Sequence, residues 1–250
     1  MIVKDSQSTL AEALVDEIEL RLRNRLSDFE CKPIGLATGR TMRSIYSSLV
    51  DRLKQWPSDE LERLRKGWFS FNLDEYIGLG IDDAQSFISY MARYLGEPLQ
   101  LSSEQLLIPN GRAKNPHSEA LAYREKLVCF GGIGVQLLGL GVNGHIGFNE
   151  PPCGAKSLCR VVSLSPSTIK QNAVEFACQE DQVPSRAITL GVEEILQAED
   201  IHLVVTGSEK ANILFKLLNS SLSEDLPASW LRLHPNVYIW ADKAAIRINK

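Results

Sequence analysis

The stretch VQLLGL, residues 135–140, is almost wholly apolar and leads directly into the glycine-rich stretch GVNGHIGFNEP, residues 141–151. A strand that is covered on both faces of a parallel sheet has this uninterrupted apolar character. Other short apolar runs occur on both sides of it along the chain. They are at residues 34–37, 68–73, 106–109, 160–164, 187–190, 201–206 and 236–240.

Helical patterns alternate with these apolar runs, and they are predicted at residues 42–53, 86–95, 116–129 and 209–218. Such alternation is typical of an α/β fold. We therefore predict a three-layer, mainly parallel, Rossmann-like sheet with helices on both faces, in a single domain over the whole chain. The first 19 residues are interpreted as an amphipathic helix, and residues 56–65 as an exposed connection.

Composition and charge restrict the function. The 250 residues are 44% hydrophobic and 23% charged, which is ordinary for a globular protein. A formal net charge of -4 without a clustered basic excess argues against a nucleic-acid partner. No apolar run has the length of a membrane helix, so no membrane partner is expected. The five cysteines are odd in number and lack C-x-x-C spacing, which favours a cytoplasmic protein without a disulfide framework.

Chemically active residues follow four of the predicted strands. In such sheets the loops at the carboxyl ends of the strands gather at one edge and form the site. The first of these loops supplies donors ahead of a helix N-terminus, where anions bind well, although ordinary helix capping would use the same residue types. Its candidate anion-binding residues are Thr38, Gly39, Arg40 and Thr41.

The loop TGSEK, residues 206–210, has the same strand, glycine turn and helix arrangement. Lys210 lies in the first turn of the predicted helix, where its charge opposes the helix dipole. A bound anion would remove this conflict, whereas an exposed lysine would tolerate it at a cost of about 0.3 to 1 kcal/mol. The loop therefore favours a second part of the same anion site.

The other two loops carry acid and base groups. Asp74 and Glu75 follow an apolar run, where they are either a general base with its neighbour or the acidic start of a helix. His145 lies in the glycine-rich stretch together with Asn143 and Glu150, and histidine is suited to proton transfer near neutral pH. One His and one Glu five residues apart make a poor metal site, so no metal is expected.

Together the four loops predict an anion subsite beside an acid/base subsite. This combination favours proton transfer on a small phosphorylated or carboxylated metabolite. Because the chain has no dinucleotide-binding fingerprint, redox chemistry is disfavoured and no cofactor is expected.

Six motifs occur along the chain. They are LATGRT (36–41), FNLDEYIGL (71–79), GLGVNGHIGFNEP (139–151), SRAITLGVEEIL (185–196), VVTGSEKA (204–211) and LHPNV (233–237). In this order they resemble the glucosamine-6-phosphate deaminases, a family related to 6-phosphogluconolactonases. The resemblance covers residues 34–242, and the combination of FNLDEY with NGHIGFNEP is its most specific element.

The resemblance implies an activity. Members convert glucosamine 6-phosphate and water to fructose 6-phosphate and ammonia, by ring opening and proton transfer from C2 to C1, without cofactor or metal. The implied partner is a small sugar phosphate, and a homo-oligomer is compatible with the family.

The resemblance also implies residue roles. Asp74 matches the base that moves the proton from C2 to C1, and His145 matches the residue that opens the sugar ring. Glu150 matches the acid that supports this histidine. Asn143 stands where many members have Asp, so ring opening is expected to differ in its pH dependence if a charged aspartate is needed.

The matched phosphate-binding positions are Thr38, Gly39, Thr41 and Lys210. Arg40 stands where glycine is common and is expected to add a positive charge to this site. Many members have His-Pro ahead of a Glu/Gln-Ser-Tyr/Phe element, whereas the corresponding stretch here is DDAQSF, residues 82–87.

Three alternatives stay open from the sequence. A 6-phosphogluconolactonase would use the same phosphate site, but lactonases usually lack the glutamate that stands here at position 150. A galactosamine-6-phosphate deaminase differs only in the sugar epimer. A non-enzymatic sugar-phosphate sensor would have no need of Asp74 and His145 together, and no helix-turn-helix extension is visible.

Overall fold

The computed structural model describes residues 1–26, 32–176 and 179–247. Ten strands lie in this part of the chain. They are β1 (Ile2–Lys4), β2 (Ile34–Leu36), β3 (Ser70–Asn72), β4 (Asp74–Tyr76), β5 (Leu106–Leu107), β6 (Val135–Gly139), β7 (Arg160–Ser163), β8 (Arg186–Thr189), β9 (Asp200–Val205) and β10 (Val237–Asp242).

Ten α-helices lie in the same described ranges. They are α1 (Gln7–Arg25), α2 (Arg40–Leu53), α3 (Ser58–Gly67), α4 (Phe87–Met91), α5 (Glu97–Leu99), α6 (Pro116–Cys129), α7 (Pro166–Phe176), α8 (Val192–Leu196), α9 (Ala211–Asn219) and α10 (Lys243–Ile246). A π-helical turn, Ala92–Gly96, joins α4 to α5, and a 3₁₀ turn, Ser208–Lys210, precedes α9. None of these helices combines the length and the apolarity that crossing a membrane requires.

The main sheet has seven parallel strands in the order β1-β10-β9-β6-β2-β3-β5. Its central strand β6 is the apolar stretch that led the sequence analysis, and Leu137 and Leu138 are 1% and 0% exposed. Consecutive buried residues show that both faces of this strand are covered. The predicted three-layer α/β fold with a mainly parallel sheet is therefore confirmed.

A second, smaller sheet of antiparallel strands has the order β4-β8-β7. Between β3 and β4 stands Leu73 alone, whose N–H donates to the carbonyl of Leu36 while its own carbonyl accepts from Leu190. The chain thus leaves the main sheet and enters the small one within a single residue. Asp74 is the first residue of β4, so it lies at the fork between the two sheets.

Two local predictions were wrong. The N-terminus is not helical throughout, because Ile2–Lys4 pairs with β10 at the edge of the main sheet and α1 begins only after Ser6, whose side chain caps it. Residues 56–65 are not an exposed connection, because Leu61 and Leu64 of α3 lie one helical turn apart and both are buried in the core.

Candidate active site

A cavity of about 570 Å³ opens at the carboxyl ends of β2, β6, β9 and β10. This location is where ligands bind in open α/β sheets. All four loops singled out in the sequence contribute to its wall. The predicted site residues that line it are Thr38, Gly39, Arg40, Thr41, Asp74, His145 and Lys210. Asn143 and Glu150 do not line this cavity, and they contact His145 from behind it.

Asp74 is 5% exposed, and its carboxyl group faces the cavity across from Gly147. A Cβ at position 147 would come within 3.2 Å of Asp74 Oδ2 and 3.1 Å of Thr189 Oγ1, so the glycine leaves the carboxyl accessible. Burial, together with the nearby charge of Glu75, raises the pKa of Asp74 well above its ordinary value. A carboxyl with a raised pKa is a stronger base than an ordinary aspartate once it is ionised.

The ring of His145 lies against the backbone of Gly141. Any Cβ at position 141 would be 2.3 Å from Cε1 of the ring, so only glycine leaves room for this packing. The backbone N–H of His145 donates to Asn143 Oδ1 at 3.2 Å, and its carbonyl accepts from the N–H of Gly141 at 2.9 Å. These contacts fix the ring at the cavity wall.

Burial lowers the pKa of His145 to about 4, while the carboxylate of Glu150 opposes this shift and the charge of Lys210 adds to it. The imidazole is therefore neutral at physiological pH. A neutral imidazole carries one N–H donor and one acceptor nitrogen. It can take a proton from one oxygen and deliver a proton to another.

The carboxylate of Glu150 stands behind this ring, with Oε1 at 4.0 Å from His145 Nδ1. It accepts hydrogen bonds from the Ser165 N–H and the Ser165 hydroxyl, each at 2.7 Å, and from the hydroxyl of Thr168. Burial raises the pKa of Glu150, but these hydrogen bonds outweigh it and the pKa is lowered overall. The histidine is therefore backed by a fixed negative charge.

Asn143 joins the two groups, since its Nδ2 donates to Glu150 Oε1 at 3.5 Å while its Oδ1 holds the backbone of His145. An amide can do both at once, whereas a carboxylate at this position has no proton to donate to Glu150. Asparagine thus fits the geometry and adds no charge beside Glu150.

The loops before α2 and α9 form the end of the cavity that is predicted to bind an anion. We call this end the anion cradle: Thr38, Gly39, Arg40, Thr41, Thr206 and Lys210. Gly39 has a φ of 108°, a conformation that residues with a side chain rarely adopt. This conformation lets the chain turn directly into α2. The hydroxyls of Thr41 and Thr206 lie 3.3 Å apart and join the two loops. Free N–H groups at a helix start and nearby cations together favour a phosphate.

Several cavity residues were not singled out in the sequence. Arg43 follows Arg40 by three positions on α2 and lines the cavity, so helical spacing alone could have found it. Asn172 of α7 also lines the cavity and donates to the hydroxyl of Tyr76 at 2.7 Å. No sequence signal connects residues 96 positions apart in this way.

The arrangement is suited to proton transfer on a sugar-sized anion. Its volume lies within the usual range of small-molecule pockets, about 300 to 1,000 Å³. Within residues 1–26, 32–176 and 179–247, no three His, Cys, Asp or Glu side chains form a group that could hold a metal ion.

Comparison with known proteins identifies the family. The family model for glucosamine-6-phosphate isomerases/6-phosphogluconolactonase matches residues 5–240. The glucosamine-6-phosphate deaminase of Oceanobacillus iheyensis is 42% identical over 217 residues, which cover 86% of this chain and 84% of that protein. The glucosamine-6-phosphate deaminase of Alkaliphilus oremlandii is 37% identical over 234 residues, covering 94% and 95%.

Solved structures of members of this family have the same fold as this chain. A monomeric glucosamine-6-phosphate deaminase is 35% identical and superposes with a TM-score of 0.85, covering 99% of this chain and 100% of the other. The 6-phosphogluconolactonase of Trypanosoma cruzi shares the fold, with a TM-score of 0.76 at 20% identity over 98% of this chain and 94% of the other. The chain therefore belongs to the family of glucosamine-6-phosphate isomerases and 6-phosphogluconolactonases.

Proposed function

We propose that this protein is a glucosamine-6-phosphate deaminase, which converts glucosamine 6-phosphate and water to fructose 6-phosphate and ammonia. The observation that carries the proposal is that one cavity is lined by a buried carboxyl, a neutral imidazole backed by a carboxylate, and a cationic cradle. Each matches one demand of the reaction: C2 deprotonation, ring opening and phosphate binding.

Ring opening is assigned to His145. Its neutral ring takes the proton of the C1 hydroxyl and delivers a proton to the ring oxygen, which gives the open-chain aldehyde. The fixed charge of Glu150 stabilises the imidazolium that forms in between. Ring opening therefore leaves the histidine in its starting protonation state.

Proton transfer is assigned to Asp74. Its carboxylate removes the proton from C2 and returns it to C1, while the ammonium group of the substrate loses a proton and the aldehyde oxygen gains one. Water then hydrolyses the resulting imine to ammonia and the ketose. The raised pKa makes Asp74 a stronger base than an exposed aspartate. The ammonium group of the bound substrate, placed beside this carboxyl, favours its ionised form.

The cradle is assigned to the 6-phosphate. Thr38, Thr41 and the backbone N–H groups at the start of α2 supply donors, and Arg40 and Lys210 supply positive charge. The gluco epimer is proposed because the similar proteins at 42% and 37% identity carry that substrate in their names. The free thiols of Cys129, Cys153 and Cys159 support a reducing, cytoplasmic location.

One experiment separates these proposals. The purified protein is given glucosamine 6-phosphate, galactosamine 6-phosphate or 6-phosphogluconolactone, in buffer treated with a chelator. We expect ammonia release from the gluco epimer at a kcat/KM at least about tenfold above that of the galacto epimer, which corresponds to one good polar contact. Rapid lactone hydrolysis without ammonia release from either amino sugar would overturn the proposal.

A further inference from the structure

Glu75 is a buried carboxyl group that the proposed mechanism does not use. It follows Asp74 in β4, and successive side chains of a strand point to opposite faces. Asp74 lines the cavity and Glu75 does not. The side chain of Glu75 is only 1% exposed, so its charge is kept inside the protein at an energetic cost that a neutral side chain would avoid.

The carboxyl group of Glu75 holds the start of α4. Its Oε1 accepts from the N–H of Tyr76 at 2.8 Å and of Phe87 at 3.0 Å, and its Oε2 accepts from the N–H of Ile88 at 2.8 Å. Between β4 and α4 runs a loop of ten residues, 77–86, so this carboxyl is a direct link between two elements that the chain itself joins only through a loop.

The other end of this link reaches the anion cradle. Tyr90, one turn into α4, donates its hydroxyl to the carbonyl of Gly39 at 2.9 Å. Its ring lies edge-on to Tyr46 with centroids 6.3 Å apart, and Tyr46 donates to the carbonyl of Ala37 at 2.5 Å. The two tyrosines therefore brace the loop that leads into α2.

We propose that Glu75 is a positioning residue which, through the start of α4 and Tyr90, fixes the anion cradle relative to the base Asp74. We call this path the Glu75 strut: Glu75, Phe87, Ile88, Tyr90 and Gly39. It connects the residue next to the base with the turn that receives the phosphate. A cradle that is already held in place binds the phosphate without a further ordering cost, so a loosened strut is expected to weaken binding and raise KM.

The carboxylate suits this role better than an amide does. A glutamine has a single acceptor oxygen and cannot accept from Phe87 and Ile88 with separate atoms as Glu75 does. Burial raises the pKa of Glu75 to about 7 although the three backbone N–H groups lower it.

The test compares Glu75→Gln, Tyr90→Phe and the double variant in the ammonia-release assay. Glu119→Gln is the matched control, because Glu119 also accepts a backbone N–H, from Asn110 at 2.8 Å, but lies on α6 outside the cavity wall. We expect Glu75→Gln to raise KM about tenfold and Tyr90→Phe about threefold, each with less than about threefold change in kcat, as weakened hydrogen bonds of a binding site do.

Because both residues act through one path, the KM of the double variant is expected to match that of Glu75→Gln rather than the product of the two effects. An unchanged KM in Tyr90→Phe, or effects that multiply in the double variant, would overturn the strut. If Glu75→Gln does not fold, the KM of Tyr90→Phe alone tests the strut: a rise of about threefold supports it and an unchanged KM overturns it. The inference rests on the proposed deaminase activity, and the wild-type assay separates the two: no ammonia from wild type overturns the function itself.

Discussion

The two ends of the cavity are built in opposite ways. At the acid/base end, Asp74 belongs to a strand and is 5% exposed, and the ring of His145 is packed against a glycine. At the anion end, Arg40 is exposed and the donors belong to loops and helix starts. The buried end depends on fixed geometry and shifted pKa values, and the open end depends on charge. Substitutions should therefore separate turnover from binding.

The largest effect is expected from Asp74→Asn. An amide cannot take the proton from C2, so kcat should fall at least about 1,000-fold, in the upper range for loss of a general base. Binding of fructose 6-phosphate, measured by calorimetry, should change little because the cradle is intact. Asp59→Asn on the exposed face of α3 is the control. A kcat within tenfold of wild type would remove Asp74 as the base.

At the other end, Lys210→Met should act on binding. Loss of a charge-assisted contact to the phosphate is expected to raise KM about 10- to 100-fold, with a smaller change in kcat. Lys216→Met is the matched control, since Lys216 lies on α9 six residues after Lys210, is exposed and does not line the cavity. Equal effects of both variants would show that general surface charge, rather than the cradle, attracts the substrate.

Acidification tests the buried end. A raised pKa means that Asp74 loses its active carboxylate form as pH falls through a value well above that of an ordinary aspartate. His145, with a pKa of about 4, stays neutral over that range. We therefore expect kcat/KM to decline on the acid side about tenfold per pH unit below the pKa of Asp74.

Carbon NMR titration of the free enzyme, with Asp74→Asn used to assign the signal, measures the same pKa without substrate ionisation. A midpoint at the ordinary value of an aspartate would contradict the role of burial.

The smallest effect is expected from Arg40→Ala. Because Arg40 is exposed, solvent screens its charge, and KM should rise only about threefold at low salt and less at high salt. Arg63→Ala, an exposed arginine of α3, is the control. A rise in KM that salt leaves unchanged would mean that Arg40 makes a direct, desolvated contact with the phosphate.

Much of the fold could be predicted from local sequence. The strand at 135–140 was predicted because burial on both faces leaves a continuous apolar run, and the helix at 116–129 because its residues have a helical pattern. Strand β4 has no such local signal in the sequence. Its residues Asp74–Tyr76 pair with β8 more than 100 positions later in the sequence, and acids in a buried strand run against the usual pattern.

The residues of the site likewise divide into those that the sequence could predict and those that it could not. The residues of the cradle could be predicted because they follow strands, and the carboxyl ends of parallel strands meet at one edge. The partners of Glu150 could not, since Ser165 and Thr168 are typical helix-capping residues whose contact with a carboxylate depends on tertiary packing. Glu75 was considered only as the neighbour of Asp74, because its link to α4 spans a loop.

The central claim is that one buried carboxyl, Asp74, moves the proton between C2 and C1. The most direct test is to incubate wild type and Asp74→Asn with glucosamine 6-phosphate in deuterated water and to follow the hydrogen at C2 of the remaining substrate and at C1 of the product by NMR. We predict that in wild type the C2 hydrogen is lost and C1 of fructose 6-phosphate receives either that hydrogen or deuterium that Asp74 has exchanged with solvent. Asp74→Asn is predicted to bind the substrate and to keep its C2 hydrogen. Loss of the C2 proton in Asp74→Asn at the wild-type rate, whether by exchange with solvent or by transfer to C1, would contradict the account.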